Sequence, residues 1–239
     1  MCDEIRPIAI PGIHEAFWPF LIEELTEKEN ESTKILDAGT GHGALTKKLY
    51  ENGYNVSACD AHPEIFKFDK VECKRVDLND TLPYADNSFD AIVAVEVLEH
   101  LFDHNRFFHE CCRILKQNGK LIISTPNILS LKSRLLFFIS GFFYSFEPLS
   151  RSRDDGLQHV SARTSDQYCY IAQKNGLKPG NVKVDKYQST SKCIVWLWPI
   201  LYAFTKLRGI DFKIHNQIKL LLGRIIFLSF KKRIPPNNI

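Results

Sequence analysis

Four acids, three glycines and two histidines carry most of the chemistry legible in this chain. Asp37 closes a short apolar run and is followed by Gly39, Gly41 and Gly43 in Ile35-Leu36-Asp37-Ala38-Gly39-Thr40-Gly41-His42-Gly43-Ala44-Leu45-Thr46. Glycines at that spacing let the backbone turn tightly and let a ligand come close to it. Gly39, Gly41 and Ala44 also satisfy the GxGxxG/A pattern of dinucleotide sites. Asp37 breaks the tie. A pyrophosphate over this turn would be repelled by a carboxylate at the strand end, whereas a phosphate-free, positively charged ligand is compatible with it. Asp60, Asp77 and Glu96 stand at or just past the ends of later apolar runs, and a carboxylate such as Asp60 can anchor two neighbouring hydroxyls. His100 and His159 are candidate general acid–base residues. His104 and His109 are expected to face solvent.

The elements that must position these residues alternate along the chain. Strands are expected at Lys34–Asp37, Asn55–Asp60, Glu72–Val76, Phe89–Val95 and Lys120–Ser124. Helices are expected at 13–29, Ala44–Tyr50 and Asp103–Gln117, the last closed by Asn118-Gly119. Further on, a helix over Ser165–Asn175 precedes strands at Val182–Tyr187 and Ile225–Phe230. Strands alternating with helices make βαβ units and a parallel sheet, which takes ligands beyond the carboxyl ends of its strands. Asp37, Asp60, Asp77 and Glu96 would gather there.

These motifs resemble those of the class I S-adenosylmethionine (SAM)-dependent methyltransferases. The resemblance is firm over residues 33–126. Asp37, Gly39, Gly41 and Gly43 match the family's first motif, Asp60 its ribose-binding acid, and Asp77 with Leu78 its acid beside the adenine. Leu82-Pro83, Ser88-Phe89-Asp90 and Glu96-Val97-Leu98-Glu99-His100-Leu101 resemble its fourth strand and the flanking stretches. Arg113-Ile114-Leu115-Lys116 with Asn118-Gly119-Lys120 stands where the family has a Pro-Gly-Gly turn. The resemblance implies a Rossmann-like α/β fold: a mostly parallel seven-stranded sheet, helices on both faces and an antiparallel last strand. It implies SAM as cofactor, S-adenosylhomocysteine as product, and Asp37, Ala38, Gly39, Thr40, Gly41, Asp60, Ala61, Asp77, Leu78 and Glu96 as its binding residues. Glu96, Glu99 and His100 also resemble the metal-binding stretch of ubiquinone-type O-methyltransferases and small-RNA 2′-O-methyltransferases. On a helix their i, i+3, i+4 spacing would put them on one face. The primary expectation is nevertheless a site without metal.

Composition narrows the setting. The 239 residues are 44% hydrophobic and 25% charged, enough for one globular domain over 1–239. Seven scattered cysteines with no CxxC pair suit a reducing cytoplasm better than a disulfide framework, and the acidic start shows no secretory signal. Residues 1–126 hold 13 Lys and Arg against 22 acids, and residues 127–239 hold 18 against six. That asymmetry suggests an anionic partner for the later part. Two aromatic segments, 135–144 and 193–204, are flanked by Lys132, Arg134, Arg151, Arg153, Lys192, Lys206 and Arg208. Both are too short to cross a membrane. They read as a peripheral membrane contact, as a cap over the substrate, or as a homodimer interface, within insertions near 128–160 and 189–222.

The leading expectation is O-methylation of a small molecule, a sugar or lipid-linked glycan intermediate. Ser124-Thr125-Pro126-Asn127, the aromatic insertion and His159 resemble methyltransferases of glycan biosynthesis. A prenylated-quinone O-methyltransferase is the alternative, and a non-catalytic SAM-fold membrane partner is the alternative of another class. No appended RNA-binding module supports a nucleic-acid substrate.

Overall fold

The computed structural model describes residues 13–25, 32–153 and 156–233. In chain order the elements are α1 (Ile13–Leu25), β1 (Lys34–Ala38), α2 (Ala44–Glu51), β2 (Asn55–Asp60), β3 (Cys73–Arg75), β4 (Phe89–Val95), α3 (His104–Ile114) and β5 (Leu115–Pro126). Then come α4 (Leu131–Ser140), α5 (Ser165–Lys174), β6 (Leu177–Val184), α6 (Ser189–Cys193), α7 (Trp198–Leu207), α8 (Phe212–His215), α9 (Ile218–Leu222) and β7 (Ile225–Lys232). The strands form one seven-stranded sheet in the order β3-β2-β1-β4-β5-β7-β6. Neighbours from β3 to β5 pair parallel, and β7 runs antiparallel to both β5 and β6. The expected Rossmann-like sheet with its reversed last strand is therefore present.

Period-two alternation divides the core between the two faces of the sheet. Ala91 and Val93 of β4 pack with Phe17, Phe20 and Leu21 of α1 and with Leu45 and Leu49 of α2. Ile92 and Ala94 face the other way, into a cluster with Phe107, Phe108, Cys111 and Ile114 of α3 and Tyr168 of α5. A register shift between Phe89 and Ala91 turns Phe89 into that second cluster as well. Phe17 is fully buried and meets Phe227 of β7 edge-on at 5.2 Å. Burying an aromatic or branched side chain of this kind contributes about 1.5–3 kcal/mol.

Several boundaries differ from expectation. The helix placed over Asp103–Gln117 ends at Ile114, because Leu115 already pairs with Phe89 and opens β5. Asp103 is its N-cap, accepting from the Arg106 amide. Asn118, at φ +63°, belongs to an irregularity inside β5 and not to a helix end. β6 begins at Leu177 instead of Val182 and stops at Val184, with a register shift between Pro179 and Val182 where proline cannot donate. Tyr187 makes only an isolated bridge to Gly223. β3 is shorter than Glu72–Val76, and the link before it carries a single 3₁₀ turn, Pro63–Ile65, where a crossover helix would otherwise lie. Residues 26–29 of the first expected helix fall outside the described residues.

Beyond β5 the chain leaves the sheet and returns to it first as β6 and then as β7. Buried Asn127 fastens that departure. Its side-chain amide donates to the Leu220 and Gly223 carbonyls at 2.7 and 2.8 Å, and its side-chain oxygen accepts from the Leu129 amide.

Candidate active site

The glycine turn joins β1 to α2 at the carboxyl edge of the sheet. Gly39 adopts φ +78°, and a Cβ there would lie 2.4 Å from a Val97 methyl carbon. That contact locks the glycine turn against the turn after β4. Gly41, at φ +51°, has nothing within 4 Å of the same point, so its face is open to a ligand. The Gly41 and His62 amides each donate to Asp60, at 2.8 Å. Asp60 is thereby aimed from the end of β2 along the glycine turn. Ala38 and Thr40 are buried beneath this turn, and Thr40 Oγ1 lies 3.5 Å from Cys73 Sγ.

Asp37 is almost wholly buried and accepts a hydrogen bond from Thr46 Oγ1 at 2.6 Å. Burial pushes its carboxyl up to about 7, the Thr46 hydrogen bond opposes the rise and the Asp60 charge adds to it. A cation bound beside Asp37 would draw it to the ionised form. Asp77 sits just past β3, exposed, and accepts from the amide and side chain of Asn79 at 2.8 and 2.9 Å, with Leu78 buried below. Exposed Ala61 accepts from Arg75 Nη1 through its carbonyl at 2.6 Å.

A second cluster forms after β4. Glu96 takes φ +54°, unusual for a residue with a side chain, and its carboxylate accepts from Ser124 Oγ at 2.8 Å. Burial pushes Glu96 up to about 7, with Ser124 and Arg224 pulling down and Asp185 pushing up. Glu99 is buried and accepts from Thr125 Oγ1 at 3.1 Å; burial and the neighbouring Glu96 hold its carboxyl well above the usual range. The Glu99 carbonyl also accepts from the Val160 and Ser161 amides at 2.8 and 3.0 Å. Those two bonds bring His159 against His100, with ring centroids 4.8 Å apart and planes at 74°. The two sequence-derived histidines thus share one place, although 58 residues lie between them.

His100 Nδ1 lies 3.1 Å from the Gln158 carbonyl. A carbonyl only accepts, so Nδ1 carries the proton and Nε2 is the basic nitrogen. The Gln158 side chain holds its own loop closed, accepting from the Ser150 amide at 2.6 Å and donating to the Ser150 and Arg153 carbonyls at 3.1 and 3.0 Å. Burial lowers the His159 pKa. The Phe146 ring meets His159 at 5.3 Å, and Phe143 joins Phe146 to a stacked Phe137. Within the 135–144 segment Leu136, Phe143 and Tyr144 are thus half-buried, while Phe138 and Ile139 stay exposed.

The expected helical face of Glu96, Glu99 and His100 does not form. Only Leu98–His100 makes a single 3₁₀ turn, and Glu96 turns away to Ser124. In its place the structure assembles Glu99, His100 and His159, whose ligand atoms all lie within 4.8 Å of one another. One carboxylate and two imidazoles are a donor set suited to a divalent transition ion. His104 also departs from expectation. It is buried, donates from Nε2 to the Leu98 carbonyl at 2.8 Å and accepts from Arg163 Nε at 3.0 Å, and burial lowers its pKa to about 4. His109 is exposed. Sequence reasoning misses Gln158, Phe146 and Arg224 and names Thr125 only within the Ser124–Asn127 stretch. Only Thr125 had a local signal, as a hydroxyl at a strand end.

A family model described as a methyltransferase domain matches residues 36–123. The human mitochondrial ubiquinone biosynthesis O-methyltransferase is 33% identical over 177 residues, covering 69% of this chain and 46% of that protein. This chain therefore spans about half the length of that curated relative. Among solved structures, a SAM-dependent methyltransferase from Archaeoglobus fulgidus superposes with a TM-score of 0.60 at 17% identity, covering 90% of this chain and 93% of that one. A geranyl diphosphate methyltransferase in complex with GPP and sinefungin gives 0.58 at 16% identity, over 91% and 77%.

Proposed function

The chain belongs to the class I SAM-dependent methyltransferases, and from that premise we propose that it transfers the SAM methyl group to a hydroxyl of a small-molecule acceptor. One observation carries the reading. The glycine turn with Asp37 and Asp60 abuts the turn that presents His100 and His159, through the Gly39–Val97 contact. Asp60 anchors the ribose hydroxyls, Asp37 attracts the positively charged methionyl end, and Asp77 and Leu78 flank the adenine. Ala38, Thr40, Ala61 and Glu96 complete the cofactor surround. The acceptor oxygen attacks the methyl carbon in line as the carbon–sulfur bond breaks, S-adenosylhomocysteine leaves, and the oxygen's proton passes to His100 or His159. Positioning supplies most of the acceleration in such a displacement, with the base adding its share.

Two acceptor classes have separate support. The ubiquinone O-methyltransferase relative favours a prenylated quinol. The Glu99, His100 and His159 donor set adds to that reading, since a divalent ion held there would lower the pKa of an acceptor hydroxyl in place of a free imidazole base. A lipid-linked or nucleotide-linked sugar is favoured by Arg151 and Arg153, which lie on the loop that Gln158 closes beside His159. On either reading 1–239 acts as one catalytic unit with a cap.

The deciding experiment is transfer of radiolabelled methyl from SAM, run against a demethylated quinol and a lipid-phosphate sugar, with and without chelator. Chelator-sensitive labelling of the quinol selects the first class, and chelator-resistant labelling of the sugar the second. A well-folded sample that binds no SAM by calorimetry would overturn the whole reading and favour a non-catalytic partner protein.

A further inference from the structure

We infer that α7 is an interfacial anchor that seats this protein on an anionic lipid surface. The inference goes beyond the methyl-transfer reading and does not depend on it. Trp196, in the 3₁₀ turn leading into α7, and Ile200, Phe204 and Leu207 succeed one another at steps of four, four and three, so they share one helical face. All four are exposed, at 67%, 60%, 59% and 86%. α7 buries none of its residues fully.

The opposite side of α7 is committed elsewhere. Trp198 and Tyr202 stack at 5.7 Å, and Phe212 of α8 meets each of them edge-on at 5.3 Å. These three line a groove of about 500 Å³ with Lys206 and Lys213. Rolling the exposed stripe inward would break that aromatic trio, so the stripe stays outward.

Charge says what covers it. From α6 through α8 the chain carries Lys192, Lys206, Arg208 and Lys213 against one acid, Asp211. The Asp211 carboxylate is occupied in capping α8 through the Lys213 amide. A one-sided apolar stripe bordered by ammonium and guanidinium groups fits acyl chains below and anionic headgroups around it. Ten residues extend only about 15 Å, so α7 lies in the interface. No helix among the described residues is long and apolar enough to cross a membrane. α4 adds a second exposed pair, Phe138 and Ile139, and Arg134 ties that helix to the His215 carbonyl and Asn216.

The test is co-sedimentation of the full chain with phosphatidylcholine vesicles, with and without about a quarter phosphatidylglycerol. The wild type should sediment with the anionic vesicles, and less so as salt rises. The Trp196→Ser, Ile200→Ser, Phe204→Ser, Leu207→Ser variant should lose about tenfold or more in partitioning while keeping its far-UV circular dichroism and its melting temperature. Because the four side chains are exposed, folding should survive; if it does not, the single variant Leu207→Glu carries the same test. Equal sedimentation of wild type and folded variant overturns the proposal. So does light scattering that shows a dimer lost in the variant while neither protein binds vesicles, which would make the stripe a contact between two copies.

Discussion

α3 and α7 are of similar length, yet they treat their apolar residues in opposite ways. α3 buries Phe107, Phe108, Cys111 and Ile114 against the sheet, whereas α7 presents Ile200, Phe204 and Leu207 to the outside. The contrast extends to the regions they belong to. From β1 to β5 the glycine turn, Asp37 and Asp60 are fixed by backbone geometry and by hydrogen bonds whose partners lie on the sheet or beside it. Around α4 and from α6 to α8, the segments outside the sheet are held by a few polar clasps, among them Asn127, Gln158 and Arg134. On the proposed reading, a cofactor common to many enzymes would sit in the rigid cradle and acceptor choice would fall to the part that the core does not dictate.

The largest effects should fall where the two regions meet. His100→Ala and His159→Ala should each lower kcat roughly 10²–10⁴-fold if the replaced histidine takes the acceptor proton, with SAM affinity by calorimetry unchanged. Gln158→Ala should move in the direction of His100→Ala part of the way, and Gln158→Glu, which sets a carboxylate oxygen against the Ser150 and Arg153 carbonyls, should lose at least as much. Next comes Asp60→Ala, which should weaken SAM binding by about 1.5–3 kcal/mol, the range for a hydrogen bond to a charged group. Unchanged calorimetric affinity would count against the cofactor pose.

A matched pair of glycines sharpens the comparison in stability. Gly39→Ala forces a left-handed alanine, costing roughly 1–2 kcal/mol, and also drives its methyl into Val97. Gly209→Ala just past α7, at φ +64° with nothing within 4 Å, should show only the first cost. Denaturant titration of both variants, and of Gly39→Ala with Val97→Ala, separates the two contributions.

Smaller is the pH dependence set by Asp37. Its carboxyl holds a proton more tightly when folded, at about 7, than at its ordinary 3.8. Its contribution to the stability of the unliganded protein is therefore full below about pH 4 and is lost as pH rises through 7. Asp37→Asn should flatten that part of the melting-temperature profile. Glu96 and Glu99 slope the same way, so the difference between variant and wild type isolates Asp37. SAM affinity should climb over the same interval as Asp37 ionises. Smallest of all, Ile139→Ser on exposed α4 should change stability by no more than about 0.5 kcal/mol.

Legibility from sequence divides along the same line. β2 and β4 match expectation residue for residue, and β1 does so to within one, because buried parallel strands are written as short apolar runs ending in acids or glycines. β6 was half missed, since an edge strand carrying Pro179 and Gly180 has no such signature. The metal candidate failed at Glu96 because spacing in a sequence presumes a helix, and a left-handed Glu96 ends that presumption. The meeting of His100 with His159 depends on two amide bonds to the Glu99 carbonyl, which side-chain types do not encode. His104 reads as a surface histidine in sequence, and only the fold brings the Arg163 loop over it.

The position of β7 has a consequence for synthesis. β6 has no neighbour in the sheet except β7, and β7 is the last strand among the described residues. While the polypeptide is emerging from the ribosome, β1 to β5 can already associate, but β6 must wait as an unpaired ribbon until residues 225–232 arrive and slot between it and β5. Nascent chains stalled before that point would display a naked β5 edge, the kind of surface that recruits chaperones or templates aggregation.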